Sequence, residues 1–223
     1  MIYMDKICYV VGAYGFTERI TPREGDYIIA ADGGYEALTR QGITPNCVMG
    51  DFDSLGYTPV HDNICVHPAE KDDTDTRLAV EYGYSLGYRK FLIFGGIGGR
   101  LDHTLANMQT LLGLTRMGAE AYLIGEGKII GVTENGSYTF SGTESGYLSL
   151  FPADGRVSGV YLTGLKYTLN NGELFSDRAL AVSNEFIGQK ATVRVDRGAV
   201  YMVWYQEFED RKGAIYENNR SDI

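Results

Sequence analysis

Between residues 6 and 125 the chain alternates short apolar runs with stretches of helical spacing, and this alternation limits the fold more than any other feature. The runs are Lys6–Gly12, Asp26–Ala31, Asn46–Gly50, Asn63–His67, Lys90–Gly95 and Glu120–Gly125. They are continuous and rich in β-branched and aromatic residues, as strands buried on both faces of a parallel sheet must be. Helices are expected between them. Gly34–Gln41 is short. Asp75–Leu86 sets Leu78, Tyr82 and Leu86 on one face before Gly87. Leu101–Met117 sets Leu101, Leu105, Met108 and Leu112 on one stripe before Gly118. Strand–helix alternation of this kind predicts an α/β domain with a mostly parallel sheet and right-handed crossovers.

After Ile130 the texture changes. Ser, Thr, Tyr, Gly and Asn dominate, and Tyr147-Leu148-Ser149-Leu150 alternates with period two. Turn signals occur at Asp154-Gly155, Asn170-Asn171-Gly172 and Asp196-Arg197-Gly198. The last lies between Ala191–Val195 and Ala199–Tyr205 and predicts a hairpin. An all-β sandwich follows as the expected second domain. The expected division is 1–132, 133–210, and a charged tail over 211–223 whose last ten or so residues are expected to be poorly ordered. Trp204 reads as core.

The chemistry concentrates where the apolar runs end. Gly50-Asp51-Phe52-Asp53-Ser54 follows one run. Residues two apart in an extended segment point the same way, so Asp51 and Asp53 can face one cation with Phe52 turned inward. Glu70-Lys71-Asp72-Asp73-Thr74-Asp75 packs carboxylates that repel one another unless a helix N-terminus or a cation intervenes. Asp72, Asp73 or Thr74 is a candidate helix cap, and Asp75 a candidate third carboxylate for Mg2+. Lys71 is suited to hold a phosphate oxygen. Gly95-Gly96-Ile97-Gly98-Gly99-Arg100-Leu101-Asp102-His103 follows another run. Its glycines allow positive φ and close approach of backbone to a ligand, and Arg100 offers a donor fork matched to phosphate. The loop lacks both the Gly-Lys-Ser/Thr ending of a Walker A motif and the acidic ribose ligand of a dinucleotide site. In Ala31-Asp32-Gly33-Gly34, Asp32 either caps the next helix or contacts a nucleotide or second substrate. Gly125-Glu126-Gly127-Lys128 reads as a turn. His61, His67 and His103 lack metal-ligand spacing, and only His103 lies near these clusters. Together the clusters point to a Mg2+–nucleotide site.

The net charge of −9 and pI near 4.8 argue against nucleic acid as a partner. A local Lys/Arg pair with Mg2+ still accommodates ATP. Cys8, Cys47 and Cys65 are odd in number and widely spaced, so buried reduced thiols are expected. The chain shows neither a signal peptide nor a stretch of about 18 apolar residues, so a cytoplasmic protein with no membrane partner is expected.

In this order the clusters resemble the thiamine pyrophosphokinase family. The resemblance is carried by ADGG at 31–34, PNCVMGDFDS at 45–54, EKDDTDT at 70–76 and GGIGGRLDH at 95–103. It continues with TGLKY at 163–167 and VSN at 182–184. It implies an α/β catalytic domain, a β-sandwich and a homodimer with the thiamine site between subunits. It implies transfer of the pyrophosphoryl group of ATP to the hydroxyl of thiamine, giving thiamine diphosphate and AMP. Asp51, Asp53 and Asp75 match its metal carboxylates. Lys71, Asp72, Arg100 and Asp102 match its catalytic neighbourhood, with Asp72 or Asp102 as general base. Asp32, Gly33, Gly34, Thr74, Gly96, Gly98, Gly99 and His103 fall on its nucleotide side. Tyr167, Ser183 and Asn184 match the thiamine side, where Tyr167 departs from members that carry Trp. Asp73 has no role in this scheme. The alternatives are a Mg2+-dependent diphosphokinase acting on another alcohol, such as a pterin, and a non-enzymatic nucleotide or thiamine sensor.

Overall fold

The computed structural model describes residues 3–52, 55–66, 73–206 and 218–219. The chain divides into two units, Met1–Glu126 and Gly127–Ile223. The first holds strands β1 (Tyr3–Val11), β2 (Tyr27–Ala31), β3 (Cys47–Gly50), β4 (Ile64–Val66), β5 (Tyr88–Phe94) and β6 (Glu120–Gly125). Its helices are α1 (Gly34–Arg40), α2 (Asp75–Ser85) and α3 (Leu101–Arg116). The strands are parallel in the order β6-β5-β1-β2-β3-β4. The chain therefore starts in mid-sheet, steps outward to β4, and returns through α2 to the far side of β1. The direction reverses between β1 and β5, and a crevice opens beyond their carboxyl ends at such a switch point. Successive residues Cys8, Tyr9, Val10 and Val11 are all buried, as are Phe91 to Phe94, so both faces of the sheet are covered.

The helices bury faces other than the expected ones. In α2 the buried residues are Ala79, Val80 and Gly83, whereas Leu78, Tyr82 and Leu86 are only partly covered. A Cβ on Gly83 would stand 2.6 Å from Cys8 Sγ and 3.0 Å from the Phe91 ring. The helix lies so low on the sheet that small residues, not large ones, define its inner face. In α3 the buried residues are Asn107, Thr110, Leu111, Leu114 and Thr115, and Leu101 and Leu105 are exposed. That face is turned roughly a third of a turn from the expected leucine stripe, given about 3.6 residues per turn.

The second unit is an antiparallel β-sandwich with no helix among the described residues. Its strands are β7 (Lys128–Phe140), β8 (Tyr147–Pro152), β9 (Arg156–Thr163), β10 (Leu169–Phe175), β11 (Asn184–Glu185), β12 (Ala191–Tyr205) and β13 (Asn218–Asn219). The expected hairpin at Asp196-Arg197-Gly198 is a bulge instead, because β12 runs unbroken along β7 with a register shift between Val195 and Ala199. Gly198 takes φ 101° and its N–H donates to Asn135 Oδ1 at 2.9 Å. On its other edge β12 pairs with β9 before the bulge and chiefly with β8 after it, so the bend lets one strand serve two neighbours. Asn170-Asn171-Gly172, also expected to turn, lies inside β10 with Asn171 at φ 51° and the register shifting around it. Tyr138, Phe140, Phe186 and Trp204 form an aromatic core, which is where Trp204 was expected. The backbone of β13 pairs with β7. The other tail residues after 206 lie outside the described set. No described helix is long and apolar enough to cross a membrane.

Candidate active site

A cavity of about 280 Å³ lies at the switch point of the first unit. Ala13 and Tyr14 reach it from the end of β1, Ala31 and Asp32 from β2, and Gly95 from β5. Thr74, Asp75 and Thr76 reach it from the start of α2, and His103 and Asn107 from α3. Close backbone contacts shape the rim. Gly12 N–H donates to Phe94 O at 2.7 Å, and Tyr14 N–H donates to Gly95 O at 3.2 Å. Gly95 takes φ 64°, and a Cβ there would fall 2.5 Å from Gly12 O, so only glycine lets the two loops meet.

Asp32 is held by its backbone, with its N–H donating to Met49 O at 2.7 Å and φ at 49°. The N-cap of α1 is Gly33, which offers no side chain, so Asp32 faces the cavity and does not cap the helix. Its Oδ1 is buried there. Gly34 packs under the end of β1, where a Cβ would lie 1.8 Å from Val11 O. Gly50, at the end of β3, lies against the Asp32 backbone, which sets Asp51 beside the β2 terminus. Phe52 is buried as expected, but its φ of 61° is left-handed and not extended, so the two-residue alternation used to aim Asp51 and Asp53 together does not hold through it. Asp53, Lys71 and Asp72 lie outside the described residues.

The start of α2 is capped by Thr74, whose Oγ1 accepts from Arg77 N–H at 3.2 Å. Of the three cap candidates it is Thr74 that serves, and Asp75 is left in the first turn, lining the cavity. Asp73 is exposed. A carboxylate in the first turn is favoured by the helix dipole.

The glycine loop is pinned on several sides. Gly95, Gly98 and Gly99 all have positive φ. A Cβ on Gly99 would meet the Tyr14 ring at 2.2 Å, and that ring stands edge-on to His103 with centroids 6.1 Å apart. Arg100 and Asp102 grip each other, Nη2 to Oδ2 at 2.5 Å and Nε to Oδ1 at 3.2 Å. Their side chains are 67% and 63% exposed and are not among the residues lining the cavity. Hydrogen bonding by Arg100 holds the Asp102 carboxyl below its ordinary range, so this pairing makes Asp102 a weak base.

Asp32, Thr74, Asp75 and His103 are thus gathered round one cavity, and Asp51 follows Gly50, which lies against the Asp32 backbone, without lining the cavity itself. Gly33, Gly34, Gly96, Gly98, Gly99, Arg100 and Asp102 stand outside its lining, and Gly95 is the member of the glycine loop that reaches it. Tyr14 and Asn107 line it unforeseen. A polar residue one helical turn after His103, and an aromatic two residues beyond a strand-end glycine, were the available signals. Among the described residues no group of three or more His, Cys, Asp or Glu side chains is placed to hold a metal ion. The donors present are still hard oxygens. Mg2+ commonly takes one or two carboxylates and completes its shell with water and phosphate, and Asp75 with Asp51 suits that demand.

In the second unit a cavity of about 250 Å³ is lined by Leu162, Tyr167, Leu169, Leu180, Val182 and Asn184, among others. Tyr167 is 57% exposed, while Asn184 is only 4% exposed. Asn184 Oδ1 accepts from the N–H of Tyr167 and of Glu185, both at 2.9 Å, and its Nδ2 donates to Tyr167 O at 2.7 Å. Its amide is occupied in fixing the Tyr167 backbone. Ser183 takes φ 58°, its N–H donating to Ser149 Oγ at 3.0 Å.

A doubly wound parallel sheet with an acid-lined cavity at its switch point, followed by an antiparallel sandwich with its own cavity, is the build of a two-domain transferase. Residues 22–123 match the family model described as thiamin pyrophosphokinase, catalytic domain, and residues 134–200 match thiamin pyrophosphokinase, vitamin B1 binding domain. Thiamine pyrophosphokinase of Bacillus subtilis (strain 168) is 32% identical over 182 residues, covering 78% of this chain and 85% of that protein. The crystal structure of thiamine pyrophosphokinase from Bacillus subtilis superposes with a TM-score of 0.78 at 27% identity, covering 92% of this chain and all 100% of the other. That of thiamin pyrophosphokinase from Geobacillus thermodenitrificans gives 0.78 and 27%, covering 92% and 99%. The chain belongs to the thiamine pyrophosphokinase family.

Proposed function

We propose that the chain transfers the pyrophosphoryl group of ATP to the hydroxyl of thiamine, with the first unit holding the nucleotide and the second the thiamine. The observation that carries this reading is the cavity at the switch point, which gathers Asp32, Asp75, His103 and a glycine loop within the span of the family's catalytic domain. The thiamine oxygen attacks the β-phosphorus, the bond from that phosphorus to the α,β-bridging oxygen breaks, and AMP leaves. The hydroxyl proton passes to Asp72 or Asp102. Asp102 is a poor acceptor while Arg100 grips it.

Asp51, Asp53 and Asp75 would hold Mg2+. Bound there, the ion neutralises charge on the phosphate oxygens. Lys71 and Arg100 offset charge developing at the β-phosphorus, for which Arg100 must exchange Asp102 for phosphate. Thr74, Gly96, Gly98 and Gly99 present the loop and helix start to the nucleotide, with Asp32, Gly33, Gly34 and His103 beside them. Tyr167 and Ser183 meet the thiamine. Asn184 acts through Tyr167, because its polar atoms are already engaged. A homodimer completes the thiamine site between subunits. The test is incubation with ATP, Mg2+ and thiamine. AMP and thiamine diphosphate in equal amounts support the reading. ADP as the nucleotide product, or transfer only to another alcohol such as a pterin, contradicts it.

A further inference from the structure

We propose that Asn107 is a positioning residue for ATP, its side-chain amide fixing the glycine loop in the shape that receives the phosphates. The inference rests on the reading of the switch-point cavity as the ATP site. Asn107 sits in the middle of α3, is 4% exposed, and lines that cavity one turn beyond His103. Its Nδ2 donates to Gly96 O at 2.9 Å.

Packing alone does not call for an amide here. Leu111 and Leu114 occupy the same face of α3, and burying a primary amide is costly unless its hydrogen bonds are met. One of the amide's N–H donors is met by the loop carbonyl of Gly96. Gly96 has no positive φ, so its glycine answers to space. A Cβ would lie 2.9 Å from Leu123 Cδ2 and 3.1 Å from Asn107 Nδ2. Loop and amide are fitted to each other.

The consequence is electrostatic. Gly95 O is held by the Tyr14 N–H and Gly96 O by Asn107, so two successive carbonyls of the loop are engaged. A carbonyl released from its donor is free to swing into the cavity, where its partial negative charge repels a phosphate. Asn107 thereby keeps the loop's charge pattern suited to an anion without needing to touch the transferred group.

The test compares wild type with Asn107→Asp, which keeps the shape but loses the donor, and Asn107→Leu, which keeps the packing but loses both polar atoms. kcat and KM are measured separately for ATP and thiamine, alongside melting temperature. We expect kcat/KM for ATP to fall about 10- to 100-fold in both variants, the scale of a modest misplacement of reacting groups. The thiamine KM should stay within about twofold of wild type in both variants, although each leaves the Gly96 carbonyl without its donor and melts somewhat lower. Should neither variant fold, Asn107→Ser is read by the same split. Unchanged ATP constants, or losses for both substrates that merely track melting temperature, overturn the proposal. Wild type that forms no AMP and thiamine diphosphate overturns the ATP reading and this inference together.

Discussion

At the level of single residues, some groups face the cavity and others hold those groups in place. Asp75 lines the cavity from the first turn of α2, where folding gains little from it. Asp75→Asn should lower kcat by at least about 100-fold, the usual cost of losing a key electrostatic group. Its unfolding free energy should change by less than about 1 kcal/mol, the value of a first-turn carboxylate. Steady-state kinetics with urea titration checks both. Asn184→Ala should do the reverse. It strips two N–H groups and one carbonyl of their partner, costing about 1–3 kcal/mol. Its thiamine KM should rise while its ATP KM does not. Of the carboxylates the sequence singles out, Asp32 and Asp75 line one cavity, because each stands where a strand or helix meets the crevice, while Asp102 lies outside it. The duties of Asn184 and Asn107 were not legible in the sequence, because both bond to backbone atoms that sequence brings near only after folding.

At the scale of elements, helix-to-sheet distance is set by glycine. Gly83→Ala would drive a Cβ into Cys8 Sγ and the Phe91 ring, destabilising by about 1–3 kcal/mol as overpacking does. Cys8→Ala should relieve much of that cost, so a double-mutant cycle in denaturant should show favourable coupling, and strict additivity would contradict the packing described. The strands of the first unit were readable because burial on both faces leaves continuous apolar runs. The helix faces are not readable in the same way, because Ala79, Val80 and Gly83, and not the largest side chains, make the contact in α2. The hairpin at Asp196-Arg197-Gly198 failed for a related reason. Asp and Gly favour positive φ, and a bulge uses it as well as a turn does. Only pairing with β7 along its whole length distinguishes the two.

At the scale of the whole molecule, the buried thiols predict how stability answers to pH. Burial, with a smaller contribution from Cys65, pushes the Cys47 thiol up to about 11 from 9.0, and burial with Asp26 pushes Cys8 up further. The folded state keeps these protons where the unfolded chain has released them, so the stabilisation present below pH 9.0 is lost as pH rises toward about 11. Melting temperature should therefore fall across that window, and Cys47→Ala should flatten the slope. Cys65 is exposed, not buried as expected of all three thiols, so under native conditions iodoacetamide should label it well before Cys8 or Cys47. A homodimer predicts a light-scattering mass twice the 24.6 kDa of one chain. The division into an α/β unit and a sandwich was legible from the change of texture alone. The homodimer is expected from the family resemblance and not from any pattern of the single chain.

The most direct measurement follows a label on the β-phosphate of ATP during turnover with Mg2+ and thiamine. The account predicts that the label moves wholly into thiamine diphosphate and that unlabelled AMP is released in step, with both products abolished in Asp75→Asn. Label retained in ADP, or passage to thiamine that survives Asp75→Asn undiminished, would contradict it.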